Sequence, residues 1–284
     1  MSRFEEVLAG FQACLNTLPD KPEESARTTL AALWQFAQGQ AVSARAARVE
    51  ACQPLSAPQD ERLQELIARR LAGEPLAYIT GRQQFMNLQM LAEPGALIPR
   101  RETEILAGAA IGLAAQAAQD GVVPLVIDVC TGSGNVALAV AHHVPSALVL
   151  AADLSGEAVD AARRNADLLE LQGRVDFRVG DLLAPFDPAQ FAASVDVLTC
   201  NPPYISSGRL ETMPSEIIAH EPRLAFNGGP LGVQILNRIV REAPAYLKPG
   251  GYLVVEVGKG QGPSMQRRLG SSPDFAESRG IGDD

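Results

Sequence analysis

The chain has 284 residues, 46% of them apolar, and a formal net charge of −9 from 24 basic and 33 acidic side chains. That length suits two domains with a sizeable core. No apolar run approaches the roughly 20 residues of a membrane span, and Glu5 with Glu6 break the first apolar stretch before it resembles a signal peptide, so a cytoplasmic protein without membrane attachment is expected. A grip on bare nucleic acid draws on basic groups that neutralise phosphates. Here the short basic pairs, such as Arg69-Arg70 and Arg267-Arg268, are scattered. A protein or small-molecule substrate is expected, with no direct nucleic-acid binding. The four cysteines form no CxxC pair and the three histidines stand at no ligand spacing to them, which predicts reduced thiols and no metal site.

In chain order, residues 3–17, 23–38 and 59–72 carry apolar side chains at three-to-four spacing, as in Leu63, Leu66, Ile67 and Leu71. These predict a small helical bundle over residues 1–75. A linker follows over 76–104, with a short hairpin near 84–91 and a turn at Pro94-Gly95. From about residue 122 the rhythm changes to apolar runs at 123–129, 147–152, 175–179, 195–199 and 252–257. Helical patterns near 134–143, 155–169 and 230–247 lie between them. Continuous apolar strands alternating with helices predict a parallel sheet covered on both faces. The expected fold is α/β, a Rossmann-like domain over 105–284 preceded by the helical bundle.

Asp128-Val-Cys130-Thr131-Gly132-Ser-Gly134 follows the first strand and opens a helix. Gly132 and Gly134 permit a tight turn and close approach of a ligand. Asp153 ends the second strand, where a carboxylate accepts hydrogen bonds from ribose hydroxyls. Gly132-x-Gly134-x-x-Ala137 also satisfies the dinucleotide pattern. Asp128 favours the other cofactor class, because a carboxylate at the turn repels a pyrophosphate and attracts the sulfonium and ammonium of S-adenosylmethionine.

Asn201-Pro202-Pro203-Tyr204 follows the strand at 195–199 directly. Ligands of open α/β sheets bind outside the carboxyl ends of strands, so this tetrad should face the cofactor cleft. An amide nitrogen is a poor nucleophile. Hydrogen bonds from its N–H groups to the Asn201 side-chain oxygen and the Pro202 carbonyl raise its electron density and aim it. Pro202 and Pro203 stiffen the loop, and Tyr204 offers a flat ring for a planar group. The competing interpretation, a Pro-Pro turn with Asn as turn former, loses ground because the tetrad follows a strand in step with Asp128, Gly132, Gly134 and Asp153.

Together these residues resemble the N5-glutamine methyltransferases of the HemK/PrmC type. Three further stretches carry the resemblance: Arg69 to Gly81 (RRLAGEPLAYITG), Leu97 to Glu104 (LIPRRETE), and Glu221 to Gly229 (EPRLAFNGG) with Leu247 to Gly262 (LKPGGYLVVEVGKGQG). The similarity runs in order from about residue 60 to 262. It implies a class I methyltransferase using S-adenosylmethionine, with the side-chain amide of glutamine in the Gly-Gly-Gln motif of a peptide chain release factor as acceptor. It further implies that Asp128, Gly132 and Gly134 cradle the methionine half, Asp153 holds the ribose, and Asp181 and Leu182 line the adenine, with Cys130, Thr131 and Leu154 also at the cofactor. Asn201, Pro202, Pro203 and Tyr204 hold the acceptor nitrogen, with Asn201 also beside the cofactor, and a monomer is expected. Cys130 stands where the family has glycine, Arg101 where it has proline, and Leu231 where it has aspartate. These departures leave methyl transfer intact but bear on the acceptor, so a diverged enzyme that N-methylates a small biosynthetic metabolite or a nucleic-acid base is the alternative. A cofactor-binding module without catalysis is the third possibility, and the intact tetrad argues against it.

Overall fold

The computed structural model describes residues 2–18, 21–119 and 121–282; Met1, Pro19, Asp20, Asp120, Asp283 and Asp284 lie outside them. The chain forms two compact units. One takes in Met1–Pro94, Ile98–Arg101 and Pro214–Glu221; the other takes in Gly95–Leu97, Glu102–Met213 and Pro222–Asp284.

The first unit contains α1 (Arg3–Cys14), α2 (Ala26–Ala37), α3 (Ala57–Leu71) and α4 (Leu76–Thr80), then a hairpin of β1 (Arg82–Phe85) and β2 (Leu88–Leu91). Ser2 caps α1 and Ser25 caps α2 through side-chain oxygens that accept backbone N–H bonds, satisfying donors a helix start leaves over. Ser56 and Gln59 form a capping box on α3. The predicted apolar faces close on one another: Phe4, Leu8, Phe11, Leu30, Leu33, Trp34, Leu63 and Leu66 share one core. Trp34 is 2% exposed and its indole N–H donates to the Gln53 carbonyl at 2.8 Å. The hairpin, expected as part of a linker, belongs to this unit. Gln89 Nε2 donates to Ser43 Oγ at 2.9 Å, and Gln83 Nε2 to the Pro99 carbonyl at 3.2 Å.

The second unit holds α5 (Thr103–Gln119), β3 (Leu125–Val129), α6 (Asn135–His143), β4 (Leu148–Asp153), α7 (Gly156–Leu168), β5 (Val175–Val179), α8 (Pro188–Phe191), β6 (Val195–Cys200) and α9 (Ser207–Leu210). It resumes, after α10 (Ser215–His220) in the first unit, with α11 (Gln234–Glu242), β7 (Leu247–Val255) and α12 (Gly262–Gly270). The five strands form one parallel sheet in the order β5-β4-β3-β6-β7. Every residue of β6 is buried, as a strand covered on both faces requires. The connections from β3 run to one side through β4 and β5, and β6 lies on its other side. The crevice beyond the carboxyl ends of β3 and β6 is therefore the switch point at which such sheets bind ligands.

Three elements differ from the sequence expectation. Helix α5 had no predicted counterpart; its face is built from Ala107, Ala110 and Ala114, all fully buried, so its apolar stripe hardly stands out from its other alanines. The helix expected over 230–247 starts at Gln234, because Gly232 adopts φ +70°. It gives way to a 3-10 turn at Ala243–Ala245, where Pro244 offers no backbone N–H. Strand β7 begins at Leu247 rather than Tyr252. Leu247 already pairs with Val195, and the turn-like Lys248-Pro249-Gly250-Gly251 forms the irregularity between that pair and Val197 with Tyr252. Among the described residues no helix is long and apolar enough to cross a membrane.

Segment 214–221 is fixed by buried charge. Glu216 receives Lys21 Nζ at 2.8 Å and Arg70 Nη1 at 3.0 Å, while Arg70 Nη2 reaches Glu24 at 3.2 Å. All four side chains are at most 10% exposed. Burial raises both carboxyls. It prevails at Glu24, whereas Lys21 and Arg70 outweigh it at Glu216 and hold that group below its ordinary value. Glu221 closes the segment, accepting from the Ile98 amide at 3.1 Å and from Arg100 at 2.5 Å. Removing one member of such a cluster strands its partners in the interior. Glu216→Ala should therefore cost about 3–5 kcal/mol, measured by denaturant unfolding; a loss below 1 kcal/mol would mean that water reaches the cluster.

Candidate active site

The loop after β3 is built around Asp128. Its carboxylate is 2% exposed and accepts from Thr131 Oγ1 and from Thr199 Oγ1, both at 2.6 Å. Thr199 lies on β6, so one side chain ties the loop to the strand that carries the tetrad. Burial pushes Asp128 up to about 6 against those two hydrogen bonds, and the charge of Asp153 adds to the rise. Cys130 turns the chain with φ +58°. Gly134, at φ +81°, lies where a β-carbon would stand 2.9 Å from that of Ala162, so its place is dictated by α7. Gly132, at φ +54°, has nothing within 4 Å of the same position, which leaves room for a ligand.

Asp153 stands at the end of β4. Its Oδ2 accepts from the Gly132 amide and its Oδ1 from the Ser155 amide, each at 2.9 Å. Each carboxylate oxygen keeps a further lone pair, available to a ribose hydroxyl. The Thr131 amide donates to Ala152 and the Gly134 amide to Thr131, at 3.0 and 2.8 Å. The amides of Thr131, Gly132 and Gly134, which would help cradle a pyrophosphate, are thus already engaged, and two carboxylates lie beside them. This donor set fits a cationic cofactor and not a dinucleotide. Leu154 is exposed beside Asp153. Asp181 faces Arg238, which approaches both its oxygens at 2.9–3.0 Å. Leu182, at φ +51°, buries its side chain in the core with Leu183 and Phe186.

The tetrad leaves β6 beside this loop. Cys200 Sγ is 3.9 Å from Cys130 Sγ. Pro202 is buried, and Asn201, Pro203 and Tyr204 are half-buried. Asn201 Nδ2 donates to Thr103 Oγ1 at 3.1 Å. The Tyr204 hydroxyl reaches Glu256 Oε1 at 3.4 Å, and its carbonyl accepts from Gln261 Nε2 at 3.1 Å. Gln261 Oε1 in turn accepts from the Gly258 amide at 2.9 Å. Gly232 approaches the Tyr204 carbonyl so closely that a β-carbon would collide with it. Thr103, Glu256 and Gln261 are thus site residues that the sequence reading missed. A lone carboxylate closing the apolar run Leu253-Val254-Val255 was the one available signal for Glu256; Thr103 gave none. A cavity of about 190 Å³ beside Asp196 and Lys248 opens at the opposite, amino-terminal edge of the sheet.

Two measurements test this geometry. A bound cation favours ionised Asp128, so S-adenosylmethionine affinity should fall as pH drops below about 6, by at most about tenfold per unit for one proton. Asp128→Asn should flatten that dependence; calorimetry from pH 5 to 8 reads both, and a flat wild-type curve would refute the assignment. At Cys130, relief of the left-handed backbone, about 1–2 kcal/mol, nearly cancels the chain entropy of glycine, about 0.5–1 kcal/mol. Cys130→Gly should keep its melting temperature and its cofactor affinity, and loss of binding would show that the thiol itself is required.

Known families match both parts of the chain. A "Methyltransferase domain" model matches residues 125–267 and a "PrmC N-terminal domain" model matches residues 6–81. The release factor glutamine methyltransferase of Streptomyces coelicolor is 42% identical over 203 residues, covering 72% of this chain and 69% of that protein. The protein of the same name from Moorella thermoacetica is 38% identical over 205 residues, covering 72% and 69%. That from Koribacter versatilis is 39% identical over 204 residues, covering 72% and 70%. With Asp128 and Asp153 at the switch point and the tetrad beside them, the chain belongs to the release factor glutamine methyltransferase family.

Proposed function

We propose that this chain transfers the methyl group of S-adenosylmethionine to the side-chain amide nitrogen of the glutamine in the Gly-Gly-Gln motif of a peptide chain release factor. The observation that carries the reading is the place of Asn201, half-buried directly after β6 with its side-chain amide held by Thr103 at 3.1 Å. From there Oδ1 can accept from an acceptor N–H. Asp128 and Asp153 supply the negative environment for the cofactor, Gly132 the space beside it, and Asp153 and Leu154 the ribose end. Cys130 shapes the loop through its backbone and Thr131 through its hydroxyl on Asp128, while Asp181 and Leu182, after β5, take the adenine end.

Bound S-adenosylmethionine supplies an electrophilic methyl group on a cationic sulfur. Asn201 Oδ1 and the Pro202 carbonyl accept the two amide N–H bonds of the glutamine, oppose delocalisation of the lone pair, and hold the nitrogen in line. Those contacts strengthen as positive charge develops on nitrogen, so they act on the transition state. Tyr204 lies flat against the amide plane. Its carbonyl and hydroxyl are held by Gln261 and Glu256, so the ring arrives in position with little loss of freedom. The amide proton passes to solvent after transfer. A net charge of −9 suits a protein acceptor better than nucleic acid, and a cytoplasmic monomer completes the reading.

Asn201→Ala should lower kcat by roughly two to three orders of magnitude, as loss of one preorganised polar contact does, with the cofactor Kd little changed. Transfer of radiolabelled methyl to purified release factor, beside a total cell extract, reads both acceptor and rate. Wild-type turnover in this variant would reduce the tetrad to a turn, and labelling of a small metabolite in place of release factor would replace the acceptor.

A further inference from the structure

Glu256 closes β7, and its amide donates to the Cys200 carbonyl at 3.0 Å, which sets the carboxyl against the first residues of the tetrad. Its Oε2 is buried without a hydrogen-bond partner of its own. Burial raises this carboxyl and the charge of Glu102 adds to the rise; Thr103, Tyr204 and Asn201 are the donors that oppose it. Thr103 is 1% exposed, its Oγ1 accepts from Asn201 Nδ2 at 3.1 Å, and both side chains lie beside the Glu256 carboxyl.

A side-chain amide has two ends of similar shape and opposite hydrogen-bond sense, and a hydroxyl can serve either. Thr103 alone therefore does not decide which end of Asn201 faces the acceptor. A carboxylate does decide it, because it accepts only. Beside an ionised Glu256 the Thr103 hydroxyl points its proton at the carboxylate and offers its lone pair to Asn201 Nδ2. Asn201 then presents Oδ1 to the reacting nitrogen. The reverse orientation would aim an N–H₂ at the acceptor's own N–H₂, two donors facing one another.

We propose that Glu256, acting through Thr103, is the positioning residue that sets the polarity of the Asn201 amide for methyl transfer. The proposal rests on the reading of Asn201 as the group that holds the acceptor nitrogen. It assigns Glu256 no contact with substrate.

The test is a double-mutant cycle on the full chain with release factor and radiolabelled S-adenosylmethionine. Glu256→Gln can donate as well as accept and so releases the orientation; Thr103→Val removes the relay and keeps the shape. Each should lower kcat about tenfold to hundredfold, less than complete loss of a polar contact, with the cofactor Kd unchanged. The double variant should be no slower than the slower single, because both act through one amide, and Thr103→Ser should restore most of the rate. Losses that multiply in the double variant, or a Thr103→Ser variant as slow as Thr103→Val, would overturn the proposal. If Glu256→Gln does not fold, the Thr103 pair alone decides, since only the valine variant should lose rate. Asn201→Ala, run alongside, separates the two levels. Wild-type turnover there removes the tetrad reading itself, whereas a slow Asn201→Ala with multiplying losses removes only the role of Glu256.

Discussion

One carboxylate, Asp128, holds the site together. It sits at 2% exposure between two threonine hydroxyls at 2.6 Å, one on its own loop and one on the neighbouring strand. The parallel register sets Asp128 beside Thr199, so the pair can form only if β3 and β6 are aligned as they are. That alignment places Cys130 beside Cys200 and starts the tetrad next to the cofactor loop. Burying a carboxylate is costly, and two hydroxyl donors offset only part of the cost, as the raised Asp128 shows. The residual penalty suits a site that receives a cation, because a positive ligand restores what burial removed.

How much of this was legible in sequence depended on range. The strands at 175–179 and 195–199 and the helices at 134–143 and 155–169 could be read because their periodicity is local, and they emerge within a residue or so. The glycine loop and the tetrad could be read because each is a contiguous run following a strand. Helix α5 was invisible because small side chains carry little amphipathic contrast, although alanine is the best helix former. The start of β7 was hidden because a Pro-Gly-Gly turn signal separates Leu247, which pairs with Val195, from the run that resumes at Tyr252. Thr103 and Glu256 were missed for a different reason. They meet Asn201 across 98 and Tyr204 across 52 positions of chain, and no short window records such a meeting.

The composition of the helical unit raised a similar difficulty. Nothing between 205 and 227 suggests that Pro214–Glu221 departs from the unit on either side of it in sequence. The backbone nevertheless returns to its starting point: Ile205 bonds to Phe226 and Gly228, at 2.9 Å each, which closes the excursion at its neck. At its far end Glu216 enters a cluster with Lys21, Glu24 and Arg70. The neck lies directly after Tyr204.

Buried ions seldom stabilise a fold better than apolar residues of the same size, and the two placements here illustrate why they are kept. In the helical unit four charges of balanced sign pair with one another, with only Arg70 Nε left over among them, and what they provide is the choice of one segment over others of similar apolar character. At the tetrad a single carboxylate lies among neutral donors, a poorer arrangement energetically, with one oxygen unpartnered. Replacing Glu256 by an apolar residue would remove that penalty but would leave Thr103 and Asn201 free to reverse together. The reaction needs an acceptor oxygen at one point in space, and a neutral pair cannot choose its own direction. A group that only accepts supplies the choice, which is a reason for a destabilising carboxylate to stand behind a neutral catalytic amide.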